Sequence, residues 1–142
     1  RIVPVLTRRC VSRPEKKDFE KKRIRLNKIA LEAAKQSGRG VVPKIAEPMD
    51  IDEIIESVKD SDLVFVPYEC EEESRLKTLL NTAKEAKRIS FIIGPEGGFD
   101  ALEIEKLKNA GIKPVTLGKR ILRTETAAEA VVSMIMYEYD EI

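Results

Sequence analysis

The apolar, β-branched run Phe91-Ile92-Ile93 ends abruptly at Gly94-Pro95-Glu96-Gly97-Gly98-Phe99, and no other stretch of the chain restricts its fold as tightly. Asp100 then opens a helical pattern, with Glu103 three residues on, the spacing of a capping box. The stretch therefore reads as strand, tight loop, helix. Such a loop lies at the carboxyl end of a sheet strand, where open α/β folds bind ligands. Its glycines let backbone N–H groups approach a ligand with no Cβ in the way. The same residues also suit an ordinary strand-to-helix connection, because turns collect Gly and Pro.

The rest of the chain repeats the alternation. Short apolar runs at Ile2–Leu6, Val41–Ile45, Asp62–Pro67, Arg88–Ile93 and Lys113–Leu117 read as strands. Pro43 argues that its run is an edge or a strand end. The run before Pro67 is unbroken, as expected for a parallel strand covered on both faces. Helical patterns cover Asp18–Gln36, Asp50–Val58, a segment from the Glu71-Glu72-Glu73 cluster to about Lys84, and Ala101–Asn109. In the first of these, Phe19, Ile24, Leu26 or Ile29, Ala30, Ala33 and Ala34 are the expected inward residues. Thr126 and Glu129 have capping-box spacing and are expected to open a final helix to Tyr139. Strands alternating with helices predict an α/β fold, a parallel sheet flanked by helices, in one domain of 142 residues.

Composition removes several classes of chemistry. The chain has no His, which excludes Ser-His-Asp and Cys-His catalysis and His-ligated metals. Acid–base work falls to Glu, Asp, Lys, Arg, Tyr or Cys. Cys10 and Cys70 have no metal-like spacing and read as reduced cytosolic thiols. No apolar run reaches the roughly 20 residues that span a bilayer. The net charge is only +1, but residues 1–30 hold eleven Lys/Arg against Glu15, Asp18 and Glu20. Arg8, Arg9, Arg13, Lys16 and Lys17 form a basic loop broken by Pro14, and Lys21, Lys22, Arg25 and Lys28 follow on a helix face. That asymmetry fits a polyanion such as RNA; a solvated helix face is the alternative.

A second strand-to-helix stretch, Leu117-Gly118-Lys119-Arg120-Ile121-Leu122-Arg123-Thr124-Glu125-Thr126-Ala127, stands near the carboxyl terminus. Neither stretch is a common nucleotide loop. No G-x-G-x-x-G follows an early strand, and the residues around Gly118-Lys119 break the G-x-x-x-x-G-K-[ST] pattern. On a parallel sheet both stretches would open on the same edge.

I-G-P-E-G-G-F followed in order by L-G-x-R-I-L-R-x-E-T-A resembles the bacterial 16S rRNA uridine-N3 methyltransferases, of the SPOUT class of S-adenosyl-L-methionine (SAM) enzymes. Glu32-Ala33-Ala34-Lys35-Gln36-Ser37-Gly38-Arg39, with Pro43 after it, is a weaker third match, to E-x-x-x-Q-S-x-R. The resemblance covers essentially the whole chain. It implies a SPOUT methyltransferase domain over residues 1–142 with an α/β trefoil knot, acting in the cytoplasm as a homodimer with no metal and no membrane. It also implies a PUA-like RNA-binding barrel before this domain, which a chain opening on Arg1 would lack. The implied reaction is SAM-dependent methylation of N3 of a uridine in 16S rRNA of the small ribosomal subunit. The alternative is a non-catalytic RNA-binding module of the same fold.

The residues that would hold the cofactor are then Val66, Pro67, Ile93, Gly94, Pro95, Glu96, Gly97, Gly98, Leu117, Gly118, Ile121, Leu122, Arg123, Thr126 and Ala127. For Leu117 and Leu122 plain core packing is the alternative. Methylation at N3 requires loss of a proton and leaves an anion spread over two carbonyl oxygens. Arg123 suits stabilisation of that anion, and Glu125 or Glu96 suits acceptance of the proton. A structural Arg–Glu pair beside a helix start is the competing reading. Arg8, Arg9, Arg25 and Arg39 are the expected RNA contacts.

Overall fold

The computed structural model describes residues 1–13 and 16–142; Pro14, the expected break in the basic loop, lies outside them. The chain divides into two compact units. One holds Arg1–Leu6 and Val11–Ile54, the other Thr7–Cys10 and Ile55–Ile142.

The first unit is built on α1 (Lys16–Gln36), a run rich in Lys, Glu, Ala and Leu with no Gly or Pro. Phe19 and Ala34 are buried, and Arg23, Leu26 and Ala30 are half-buried between them. Ile24, expected inward, is 65% exposed, and of the alternatives Leu26 and Ile29 it is Leu26 that turns in, Ile29 being 55% exposed. The reason is geometric: a five-residue step turns about 140° away from the starting face at 3.6 residues per turn. Steps of three and four from Phe19 pass through Arg23 instead. That arginine is half-buried and pairs with Glu20 and Glu47.

The expected strands Ile2–Leu6 and Val41–Ile45 are not continuous. Only the isolated parallel bridges Ile2 to Ile45 and Val5 to Met49 form. Pro4, Pro43 and Pro48 lack the N–H groups that a longer ladder would need. Next comes α2 (Ile51–Ser57), with reciprocal bonds between Asp50 and Glu53 at its start; the boundary between the units falls inside it.

The second unit contains the sheet. Its strands are β1 (Leu63–Pro67), β2 (Ile89–Phe91) and β3 (Lys113–Val115), in the order β2-β1-β3, all parallel. Central β1 is buried on both faces, and Phe65 and Val66 are fully enclosed. The Phe65 and Phe91 rings stack with centroids 5.9 Å apart. Helices α3 (Leu76–Thr82), α4 (Ala101–Asn109) and α5 (Thr124–Glu138) flank the sheet, α4 against β3 and α3 against α5. Leu63, Phe65, Leu76, Leu80, Val115 and Val131 form the core.

The α4 start follows expectation: Asp100 and Glu103 make a complete capping box. The α5 start does not. The helix begins at Thr124, and the Ala127 N–H already donates to the Arg123 carbonyl, so Thr126 and Glu129 lie inside the helix and cap nothing. On α5 only Ala127 and Val131 are buried, while Val132, Met134 and Tyr137 are exposed. No helix among the described residues is long and apolar enough to cross a membrane.

Candidate active site

Parallel pairing places the carboxyl ends of all three strands on one edge. Phe65 is level with Phe91 and Pro67 with Val115, and the Tyr68 N–H donates to the Val115 carbonyl. The segments 68–75, 92–100 and 116–123 leave from that edge, as parallel α/β sheets require of their strand-to-helix loops.

The 92–100 loop is fixed from inside. The Ile92 N–H donates to the Phe65 carbonyl, extending the sheet by one bond past β2. Phe99 folds back into the core, 3% exposed. A Cβ on Gly94 would stand 3.0 Å from two carbons of the Phe99 ring, tighter than ordinary packing, so a side chain here would press on the ring that closes under the loop. The Gly98 N–H donates to the Pro95 carbonyl, and Gly98 itself has φ +67°, a left-handed conformation that L side chains rarely adopt. This tight turn leaves Glu96 and Gly97 exposed at its tip.

The 116–123 loop is fixed by Thr116. Its N–H donates to the Ser74 carbonyl, its carbonyl accepts from the Leu76 N–H, and its hydroxyl accepts from the Gly118 N–H. Leu117 is half-buried against the core, so the packing reading of that residue holds at least in part. Leu122 is half-buried and Ile121 is 83% exposed.

The side chain of Thr124, the first residue of α5 after the second loop, reaches back to the first loop. The Thr124 hydroxyl donates to the Gly94 carbonyl at 3.1 Å. Sequence reasoning passes over Thr124, because a threonine between Arg123 and Glu125 carries no local signal of a partner thirty residues away. Thr116 is missed for the same reason.

The other expected residues fall around this clasp. Pro67, Ile93, Gly94, Pro95 and Gly98 are half-buried along the edge, and Gly118 is exposed beside it. Val66 is fully buried, main chain included, and presents no surface at the strand end. Ala127 is buried in α5, and Thr126 is exposed. Arg123, Glu125 and Glu96 are all exposed, and among the described residues no ion pair joins Arg123 to either glutamate. Arg8 and Arg9 belong to the second unit and touch the 92–100 loop: the Arg9 Nη1 donates to the Gly97 carbonyl at 3.1 Å. Arg25 and Arg39 belong to the first unit, both exposed.

A groove of about 990 Å³ opens beside the second loop. It shares Leu117 and Gly118 with the expected set; its other walls include Glu69, Glu71, Arg75 and Leu76, and Met134 and Tyr137 of α5. At the end of β1 the Tyr68 phenol is held above its ordinary range, first by its hydrogen bond with Cys70 and then by burial. The N–H groups of Ser74 and Glu73 hold the Glu71 carboxyl below the usual carboxylate range.

A family described as an RNA methyltransferase domain matches residues 1–136. The ribosomal RNA small subunit methyltransferase E of Mesomycoplasma hyopneumoniae is 40% identical over 78% of this chain and 47% of its own length. Its Bacillus subtilis counterpart is 34% identical over 96% of this chain and 55% of its own. The chain thus spans about half the length of these curated relatives. Among solved structures, a Legionella pneumophila protein in complex with SAM superposes with a TM-score of 0.86 at 30% identity, covering 96% of this chain and 54% of that one. The ribosomal RNA small subunit methyltransferase E of Neisseria gonorrhoeae, bound to S-adenosyl methionine, gives 0.81 at 31% identity, covering 96% and 54%. The chain belongs to the RNA methyltransferase domain family.

Proposed function

We propose that the chain carries out SAM-dependent methylation of N3 of a uridine in 16S rRNA of the small ribosomal subunit, in the cytoplasm, as a homodimer with its carboxyl-terminal loops in a trefoil knot. The observation that carries this reading is the Thr124–Gly94 bond, which joins the two glycine-bearing loops at the carboxyl edge of a parallel sheet. SAM-bound relatives of the same fold support the choice of cofactor.

The residues present fit that cofactor. The Gly98 and Gly118 N–H groups are already bonded within their loops, but the main chain of Gly94–Gly98 and Leu117–Gly118 still offers carbonyl oxygens and other N–H groups with few side chains in the way, suited to the adenine and ribose. Exposed Ile121 and half-buried Leu122 offer apolar surface that a bound ligand would cover. When bound, SAM supplies an electrophilic methyl group. The chain supplies the rest. Arg123, exposed and in no ion pair among the described residues, is available to the two uracil carbonyl oxygens as negative charge builds on them. Glu125 or Glu96 takes the N3 proton. Arg8, Arg9, Arg25 and Arg39 meet RNA phosphates. The exposed Val132, Met134 and Tyr137 of α5 supply apolar area for a second copy.

The test combines three measurements. SAM should raise the melting temperature, as any ligand selective for the native state must. Labelled methyl groups should pass to small ribosomal subunits, and nucleoside digestion should yield N3-methyluridine. Light scattering at micromolar concentration should give a dimer. RNA binding with neither SAM binding nor methyl transfer would instead establish the non-catalytic module.

A further inference from the structure

Thr7 and Glu103 are the buried polar residues among those described, 2% and 6% exposed, and both lie at one junction. Taking a carboxylate out of water is costly unless its oxygens are bonded. Helix capping does not account for it. Asp50 and Glu53 form the same reciprocal pair at the start of α2, and both stay exposed. A capping box asks only one oxygen of its glutamate. In Glu103 that oxygen is Oε2, which accepts the Asp100 N–H at 3.0 Å. Oε1 accepts the N–H of Arg8 at 2.8 Å, 95 residues away in sequence.

Two further interactions follow from the same pair of arginines. The Arg8 Nη1 stands 3.5 Å from the Asp100 carboxylate, with its side chain still 62% exposed. The Arg9 Nη1 donates to the Gly97 carbonyl, and the Arg9 Cβ lies 3.4 Å from where a Gly97 Cβ would stand. The Arg9 guanidinium has five N–H donors, so its bond to the Gly97 carbonyl leaves others for phosphate, and the Arg8 side chain is open to solvent over most of its surface. A loosely held basic segment gives attraction without register, whereas arginines fixed to a rigid loop set the orientation of a nucleic-acid backbone.

We infer that Glu103 is a positioning residue: its buried carboxylate pins the Thr7–Cys10 turn to the Gly97–Asp100 loop and so sets where Arg8 and Arg9 engage RNA. The inference rests on the proposal above that this edge takes RNA.

The test is the salt dependence of binding to a uridine-containing single-stranded RNA oligonucleotide. Each arginine that no longer neutralises a phosphate should reduce the slope of log K against log salt by about 0.7. Arg8→Ala with Arg9→Ala should therefore lower the slope by about 1.4. Glu103→Gln keeps an acceptor for the Asp100 N–H and should lower the slope similarly. The triple variant should fall no further. A general loss of stability would not produce that non-additivity, and Ile104→Val, which loosens α4 through the core, should leave the slope unchanged. If Glu103→Gln does not fold, Arg8→Pro, which removes the donor N–H, is compared with Arg8→Ala, which keeps it. The slope for Arg8→Pro should be the lower by about 0.7, because Arg9 is released as well. A wild-type slope in Glu103→Gln, additive reductions in the triple variant, or equal slopes for the two Arg8 variants would overturn the inference. Melting with and without SAM on the same samples tests the methyltransferase proposal separately.

Discussion

Thr124→Val separates the clasp between the two loops from everything around it. Valine keeps the shape of threonine and removes the hydroxyl that donates to the Gly94 carbonyl at 3.1 Å. The two residues have nearly equal helix propensity, so the first turn of α5 contributes little to the difference. A neutral hydroxyl-to-carbonyl bond contributes about 0.5–1.5 kcal/mol net. Gly94 is half-buried, so water can reach its carbonyl once the hydroxyl is gone, which favours the middle of that range. A loss of about 1 kcal/mol in a chain of this size lowers Tm by about 4 °C. If the clasp also holds the loops ready for SAM, the affinity can fall by no more than the energy of the bond, about fivefold. Circular dichroism melting gives the first number and titration calorimetry the second. Thr124→Ser keeps the hydroxyl and should recover most of both. A Val variant that matches wild type in both assays, or a Ser variant that loses as much as Val, refutes the clasp.

Arg123→Ala should lower the methyl-transfer rate by about a hundredfold, on the scale of one lost oxyanion donor, with Tm almost unchanged because the side chain is exposed and outside any described ion pair; a collapse in Tm would make Arg123 structural. Gly97→Val puts a branched side chain at the exposed tip of the first loop and should weaken SAM binding in calorimetry; unchanged affinity in a folded variant removes that loop from the site. The N–H groups of Arg88 and then Lys87 hold the Asp62 carboxyl below its ordinary range. A depressed folded value stabilises the fold above the ordinary aspartate range and loses that contribution as pH falls through the folded value. Asp62→Asn should therefore melt lower than wild type near neutrality, with the gap closing in acid; an equal gap at all pH values contradicts the linkage.

What can be read from the sequence is what neighbouring residues decide among themselves. The Asp100–Glu103 box, the stop of the Phe91 run at Gly94 and the bounds of Ala101–Asn109 all follow from interactions within a few residues. The start of α5 is misplaced because Thr126 and Glu129 have a valid local spacing. The helix instead begins where the Thr124 hydroxyl reaches Gly94. Ile24 and Ile29 draw attention by being apolar, while half-buried Arg23 takes their place on the inner stripe. The division of the basic stretch, Arg8 and Arg9 to one unit and Arg25 to the other, depends on an N–H finding a carboxylate 95 residues away. The groove beside Leu117 is assembled from residues with no common local pattern.

The strand order also governs how the molecule is assembled in time. Central β1 pairs Leu63 with Ile89 and Phe65 with Lys113, so neither partner is near it in the chain. Each pairing must close a long loop, with a helix inside it, before any ladder bond repays the entropy, and non-local parallel pairing of this kind folds slowly. β3 is the last of the strands to be synthesised, and it carries the 116–123 loop to the edge. The edge that would receive a ligand therefore does not exist until the sheet is finished. A ligand that needs all three strands in place meets its site only in the finished sheet. It should leave the refolding rate unchanged and act wholly on unfolding, so its protection would be measured as a longer native lifetime.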